Sequence, residues 1–335
     1  MSDSTISNSD QFNLLKTSAS WSKPTEAYKL TLGPCLFNWK VNDWRDFYYN
    51  IAENSEVDEV YIGEVVCQKR YPFFEVAMND VVDRLISCGK RVHFSTFSLI
   101  LGELEMSICK KLIEQTTQEA SGLTKQSSMI EVNDVGLLGL FGDHPYIIGP
   151  TINVYNEDTV ETLRKQGAQR FCFPYEIDKE SLNIMAQNPY IEKEVFAFGR
   201  MPLAIAARCY HARIHGTTKD DCRYVCEKDY NGKAITTLTD ENFLTVNGTQ
   251  TMSFTYVNLI NELQDLLSMG VNIFRISPHF MDIVGILALF KQVLDKKIDS
   301  KEGFIKINAL MPLQSKFSNG FYYGEAGRNL KGQGE

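Results

Sequence analysis

The chain has 335 residues, 44% of them hydrophobic, which is enough to bury one large core or two smaller ones. A formal net charge of −8 argues against broad binding to nucleic acid or to anionic membrane surface, both of which need basic surface. No apolar run reaches the roughly 18 residues that a membrane-spanning helix requires.

Residues 1–27 are polar, rich in Ser and Asn, and lack the apolar stretch of a secretory signal. They read as a disordered tail ahead of a single domain over 28–335, and the expected compartment is the cytoplasm. Short apolar runs then recur: YKLTLG (28–33), DEVYIG (58–63), RVHFSTF (91–97), MIEVND (129–134), YIIGP (146–150), QRFCFPY (169–175), KEVFAFG (193–199) and VNIFRISP (271–278). They are rich in β-branched and aromatic residues and end at Gly, Pro, Ser or Asn, as buried strands do. Residues 43–54, 72–90, 157–167 and 259–270 carry apolar side chains at helical spacing, several with Gly after the last of them.

Strands alternating with helices predict a (β/α)8 TIM-type barrel. A doubly wound sheet shares the alternation, but no G-x-G-x-x-G follows the first run. The fourth and fifth runs are separated only by VGLLGLFGDHP (135–145), too little for a full helical crossover. Residues 200–270 break the rhythm. Within them, about 227–257 alternates in polarity and holds two Asn-Gly pairs, so a small β insertion is expected after strand seven. FMDIVGILALF (280–290) reads as a core-facing helix. FSNGFYYGEAG (317–327) is rich in glycine and aromatics and unlike a helix.

In such a barrel the chemistry sits where the C-terminal ends of the strands open into loops. Cys67 follows the second run, and Cys209, Cys222 and Cys226 follow the seventh, so four cysteines distant in sequence are expected on one rim. Cytoplasmic thiols stay reduced, and four thiolates around one point suit tetrahedral zinc or an iron–sulfur cluster. Arg208, Arg213, Lys219, Arg223 and Lys228 crowd the segment and would stabilise an anionic cluster. The alternatives are reduced structural thiols, or a zinc site in which His211 and His215, at i and i+4, join Cys222 and Cys226. Cys35, after the first run, competes for the same rim. Cys172 alternates with Phe171 and Phe173 as a core residue, and Cys88 and Cys109 read as small apolar groups in helices. His93, His144 and His279 read as satisfied polar groups. No Walker A loop, H-E-x-x-H or G-x-S-x-G is present, and no catalytic residue is identified.

The stretches YIGEVVCQKR (61–70), AARCYHARIHGTTKDDCRYVC (206–226) and FSNGFYYGEAG, together with LTLGPCLFNW (30–39) and VHFSTFSLI (92–100), resemble the collagenase-like peptidase family. Within it they resemble the ubiquinone-biosynthesis branch, over about residue 28 to the C-terminus. The resemblance implies a barrel fold, no proteolytic activity, and a 4Fe–4S cluster on Cys67, Cys209, Cys222 and Cys226. It implies a heterodimer with a homologous UbiU-like subunit, contact with quinone-precursor pathway proteins, and oxygen-independent hydroxylation of the ubiquinone ring. Nucleic acid is not an expected partner. Hydroxylation of RNA bases, as in other branches of the family, and a zinc-stabilised non-redox protein are the competing readings.

Overall fold

The computed structural model describes residues 28–119 and 128–332; the expected tail over 1–27 lies outside them. Seven strands open the chain: β1 (Lys29–Leu32), β2 (Glu59–Ile62), β3 (Arg91–Ser95), β4 (Ile130–Val132), β5 (Tyr146–Ile148), β6 (Ala168–Cys172) and β7 (Glu192–Ile205). Three more follow, β8 (Lys233–Thr236), β9 (Asn242–Asn247) and β10 (Gln250–Asn258), then β11 (Ile273–Ile276) and β12 (Phe317–Ser318). Strands β1 to β7 pair in sequence order, all parallel. Strand β11 closes the ring, pairing in parallel with β1 (Lys29 opposite Ile273) and with β7 (Glu194 opposite Ile273). The expected eight-stranded parallel barrel is the fold.

Helices lie between the strands. α1 (Val41–Asn54) buries Trp44, Tyr48, Ile51 and Ala52, and α2 (Tyr71–Ser87) buries Phe74, Ala77, Met78, Val81 and Leu85, in each case one stripe at helical period. α3 (Glu103–Glu119) was not marked by the apolar pattern; nor were α5 and α9 below. Between β4 and β5 there is only a 3-10 turn, Val135–Leu140, started by Asp134, whose carboxylate accepts from Gly136 N at 2.8 Å. α4 (Glu157–Lys165) and α5 (Lys179–Ala186) are capped in the same manner by Asn156 and Asp178. α6 (Tyr210–Ile214) and α7 (Leu263–Ser268) are short. α8 (Ile283–Leu294) turns Ile286, Leu287, Phe290 and Val293 into the core, and α9 (Ser300–Leu310) packs beside it. Among the described residues no helix is long and apolar enough to cross a membrane.

The strand-rich segment after β7 is an arm on the barrel's C-terminal rim. β7 overruns the barrel to Ile205, and β10, β9 and β8 pair antiparallel beyond it. Gly248-Thr249 makes the two-residue turn from β9 to β10, with Gly248 first at positive φ and Asn247 still paired with Gln250, so the Asn-Gly pair marks the hairpin although its Asn lies in the strand. The other pair, Asn231-Gly232, is not a hairpin. It makes the tight turn into β8, with Gly232 N donating to the Asp229 carbonyl at 2.8 Å.

The apolar core fills the layer between strands and helices, while the inside of the barrel is ionic. Arg275 sits between Glu131 (2.5 Å) and Glu194 (2.9 Å). Thr31 and Tyr61 each donate to Glu194 at 2.6 Å. Arg170 bridges Glu59 and Glu192, and His93 Nε2 donates to Glu59 at 3.0 Å while its Nδ1 accepts from Met129 N. Burial pushes the Glu194 carboxyl up, but Arg275 and Arg170 outweigh it and hold it below the ordinary range. Cys172 is buried as expected, yet it faces this ionic interior, not the apolar layer. His93 and His279 are satisfied, the latter by the Ser277 carbonyl and Arg200 N; His144 is exposed.

Candidate metal centre

The loops after β1, β2 and β7 meet at the tip of the β9–β10 hairpin. Thr249 donates to the Val66 carbonyl at 2.9 Å, Gln250 donates to the Leu36 carbonyl, and His211 N donates to the Gly248 carbonyl at 3.4 Å. The hairpin is therefore the platform on which the three loops register.

Cys67 is half-buried at the start of the 3-10 turn Gln68–Arg70. Its amide, with that of Val66, donates to the buried Glu64 carboxylate at 2.9 and 2.8 Å. Cys209 is buried and caps α6, its Sγ accepting from Ala212 N at 3.4 Å. Cys226 is buried in the 3-10 turn Val225–Lys228, and Asn38 Nδ2, from the loop after β1, donates to its Sγ at 3.3 Å. Cys222 is half-buried, and the two residues after it, Arg223 and Tyr224, both have positive φ (46° and 52°). Two consecutive non-glycine residues in that region are strained. Burial pushes the Cys67 and Cys209 thiols up, opposed at Cys67 by Arg70 and at Cys209 by the Ala212 amide. Cys35 differs: it is buried, pushed up to about 12, and its thiol donates to the Phe37 carbonyl at 3.5 Å. It is a neutral structural thiol.

At the middle of this group lies Arg70, only 1% exposed. Its Nη2 donates to Asn247 Oδ1 at 2.6 Å and its Nη1 to the Leu36 carbonyl at 3.2 Å, while Nε has no partner. Its nearest carboxylate oxygen, Glu64 Oε1, is 4.0 Å away. Burial alone would weaken the guanidinium's charge, but the sulfur of Cys226, then Glu64 and Cys67, hold its pKa above the usual value. The buried Glu64 carboxylate is its counter-charge, and an anionic centre on the thiolates would add to it. That is the fit expected of a cluster with four thiolate ligands. Closed tetrahedral zinc, with bonds of about 2.3 Å, would draw thiolates to about 3.8 Å of one another. Among the described residues no three cysteine sulfurs lie within 4.8 Å of each other, nor do His211, His215, Cys222 and Cys226 form such a group.

Arg70 was not singled out in the sequence, although it stands three residues after Cys67. Of the cations that were, Arg208, Arg213, Arg223 and Lys228 are exposed. Its position depends on Gly248, whose φ is +68° and where a Cβ would overlap Arg70 Nη2. Gly248→Ala is therefore expected to cost at least about 1–2 kcal/mol from backbone strain alone, plus displacement of Arg70. Gly216→Ala, with similar φ (+71°) and open space around it, isolates the strain. Thermal melts of the two variants check this: equal losses would remove the argument that Arg70 is wedged under the turn.

Three cavities meet at Tyr175 beside the barrel mouth. One, of about 30 Å³, is apolar and lined by Phe173, Tyr175, Phe196, Leu259, Phe321 and Tyr322. A second, of about 230 Å³, is open and polar, with Ser98, Thr151, Asn153 and Glu176 in its wall. A smaller one holds Glu131, Asn133 and Arg275, the top of the ionic interior. Phe321 and Tyr322 thus pack and line a cavity at once, while the hydroxyls of Tyr322 and Tyr323 bond Asp265 (2.7 Å) and Glu262 (3.1 Å).

The model of the family described as Peptidase family U32 matches residues 45–332. Among solved structures, the U32 peptidase Mk0906 is similar, with a TM-score of 0.41 and 12% identity over 77% of this chain and 95% of that one. A phospho-2-dehydro-3-deoxyheptonate aldolase from Thermotoga maritima gives 0.40 and 12%, over 88% and 72%.

Proposed function

This chain belongs to peptidase family U32, and from that premise we propose that it is a UbiV-like iron–sulfur subunit for oxygen-independent hydroxylation of the ubiquinone ring, working with a UbiU-like partner. The observation that carries the reading is the placing of Cys67, Cys209 and Cys226 about the buried Arg70, with Cys222 near Cys209. These four cysteines would hold a 4Fe–4S cluster, and Cys35 stays outside the set as a thiol. With all four irons held by protein, such a cluster supplies one-electron transfer and leaves no open iron for Lewis-acid chemistry.

The remaining work falls to the chain itself. Arg70 would hold positive charge against the thiolates, and the hydrogen bonds from Asn38 and Ala212 to the sulfurs of Cys226 and Cys209 would raise the potential of a bound cluster. The hairpin tip and Leu36 shield the guanidinium from water.

Anaerobic purification followed by iron, sulfide, zinc and visible-absorption analysis tests the metal half of this reading. A brown protein with about four irons and four sulfides per chain is expected; a colourless protein with one zinc would overturn it. Anaerobic complementation of cells lacking such a subunit, scored as ubiquinone, tests the pathway half, and no restored ubiquinone would count against it.

A further inference from the structure

Beside the cysteines lies a second group of ligand-bearing side chains. Among the described residues, His211, His215 and Asp229 are the one set of three His, Cys, Asp or Glu whose ligand atoms all fall within 4.8 Å of one another. The two histidines stand at i and i+4 on α6 and its C-terminal end, with their rings stacked at 5.4 Å and 8° apart. Asp229 ends the 3-10 turn that carries Cys226. Its backbone is held by Cys226 O (3.4 Å), by Gly232 N (2.8 Å) and by Asn247 Nδ2 (2.9 Å).

The hydrogen bonding of this group is incomplete. His211 is fully buried, and neither of its ring nitrogens has a hydrogen-bond partner. Its Nε2 is 2.9 Å from Asp229 Oδ2, a short approach without the direction of a hydrogen bond. His215 Nε2 is likewise buried and without a partner. A buried polar atom without a partner is costly, so three ring nitrogens left unpaired in one place need an explanation. A cation accounts for two of them, one nitrogen on each ring, since a neutral imidazole nitrogen and a carboxylate oxygen both offer lone pairs.

We infer that His211, His215 and Asp229 form a mononuclear site for a divalent first-row transition-metal ion such as Fe2+ or Zn2+. Two ligands bound at about 2.1 Å and at right angles are about 3.0 Å apart, close to the separation of His211 Nε2 and Asp229 Oδ2. Two imidazoles and one carboxylate suit zinc or non-haem iron, whereas calcium and magnesium take oxygen ligands. Such a set leaves coordination positions open. The half-buried His215 and Asp229 give the ion and its waters a way in from solvent. The site uses no thiol, so it stands whether or not the cysteines hold a cluster. It is coupled to them mechanically: Asn247 donates to both the Cys226 and Asp229 carbonyls and accepts from Arg70.

Cobalt titration of the full chain, freed of metal under anaerobic conditions, tests the site. Cobalt on thiolates gives intense near-ultraviolet charge transfer, while cobalt on imidazole and carboxylate gives only weak visible bands. One equivalent of the second kind is expected. His215→Ala and Asp229→Asn should each weaken it by at least about 100-fold, leaving the thiolate band unchanged and circular dichroism native. A chain with all four of Cys67, Cys209, Cys222 and Cys226 changed to Ser should keep it. The site is refuted if the wild type shows no thiol-free equivalent at micromolar cobalt. It is equally refuted if the His215 and Asp229 variants bind as the wild type does, or if the equivalent they lose carries the thiolate band. Loss of the cluster reading would appear separately, as an absent thiolate band.

Discussion

Arg275→Met is expected to destabilise the fold by about 3–5 kcal/mol at neutral pH, the usual cost of removing one partner from a buried ion pair. Arg275 is 3% exposed, contacts Glu131 and Glu194, both fully buried, and lies over the Tyr61 ring at 4.1 Å. Methionine fills much of the volume but leaves Glu131 and Glu194 without their shared ion-pair partner. The pH dependence follows from Glu194. Its folded pKa lies below the unfolded value, because Arg275 and Arg170 outweigh the opposing effect of burial. The stability this contributes is present above the unfolded pKa, near 4.3, and is lost as pH falls through the folded value. In the variant Glu194 loses its main counter-charge and gains a proton more readily, so the deficit should shrink between pH 7 and pH 4.5. Denaturant melts of both proteins at the two pH values measure this. A deficit under about 1 kcal/mol at pH 7, or one that grows on acidification, would contradict the account.

Cys226→Ala is expected to reduce iron from about four per chain to below about one and to bleach the visible absorption. The same change at Cys67, Cys209 or Cys222 should act alike, because each supplies one corner ligand. Cys35→Ala and Cys172→Ala are the controls. Both residues are buried, but Cys35 donates to the Phe37 carbonyl and Cys172 faces Arg275 and Glu194 inside the barrel. Either control should lower stability and keep iron. Anaerobic iron and sulfide analysis on folded protein decides it; a Cys226→Ala chain that keeps its iron would remove Cys226 from the ligand set.

The barrel was legible from the order of its runs because strands in a parallel barrel are buried on both faces, so they stand out as apolar stretches ended by turn residues. FMDIVGILALF read correctly as a core helix, since Asp282 caps it and the residues after it bury a continuous stripe. The hairpin at Asn247-Gly248 was legible from turn chemistry, but the same dipeptide at 231–232 was not distinguishable from it, because a dipeptide does not say whether a partner strand precedes it. The helix over 103–119 escaped notice because it mixes charge with two threonines, Thr116 and Thr117, whose hydroxyls bond back to the Leu112 and Ile113 carbonyls.

The four cysteines were expected on one rim from residue type and strand order alone. Arg70, the cation that gives the group its electrostatic character, was not, since nothing local separates a buried arginine from the exposed ones around it. His211 and His215 were legible as a pair by their helical spacing. Asp229 was not, because its place beside them depends on the 3-10 turn after Cys226 and on the Asn247 side chain. Sequence by itself determined the succession of elements, which is a matter of local period and turn residues. It did not determine the ionic interior. Glu59 meets Arg170 across 111 positions and Arg275 meets Glu194 across 81, and only closure of β11 between β1 and β7 decides which charge finds which. Pairing across a closed ring is a property of the whole barrel, and no local stretch carries it.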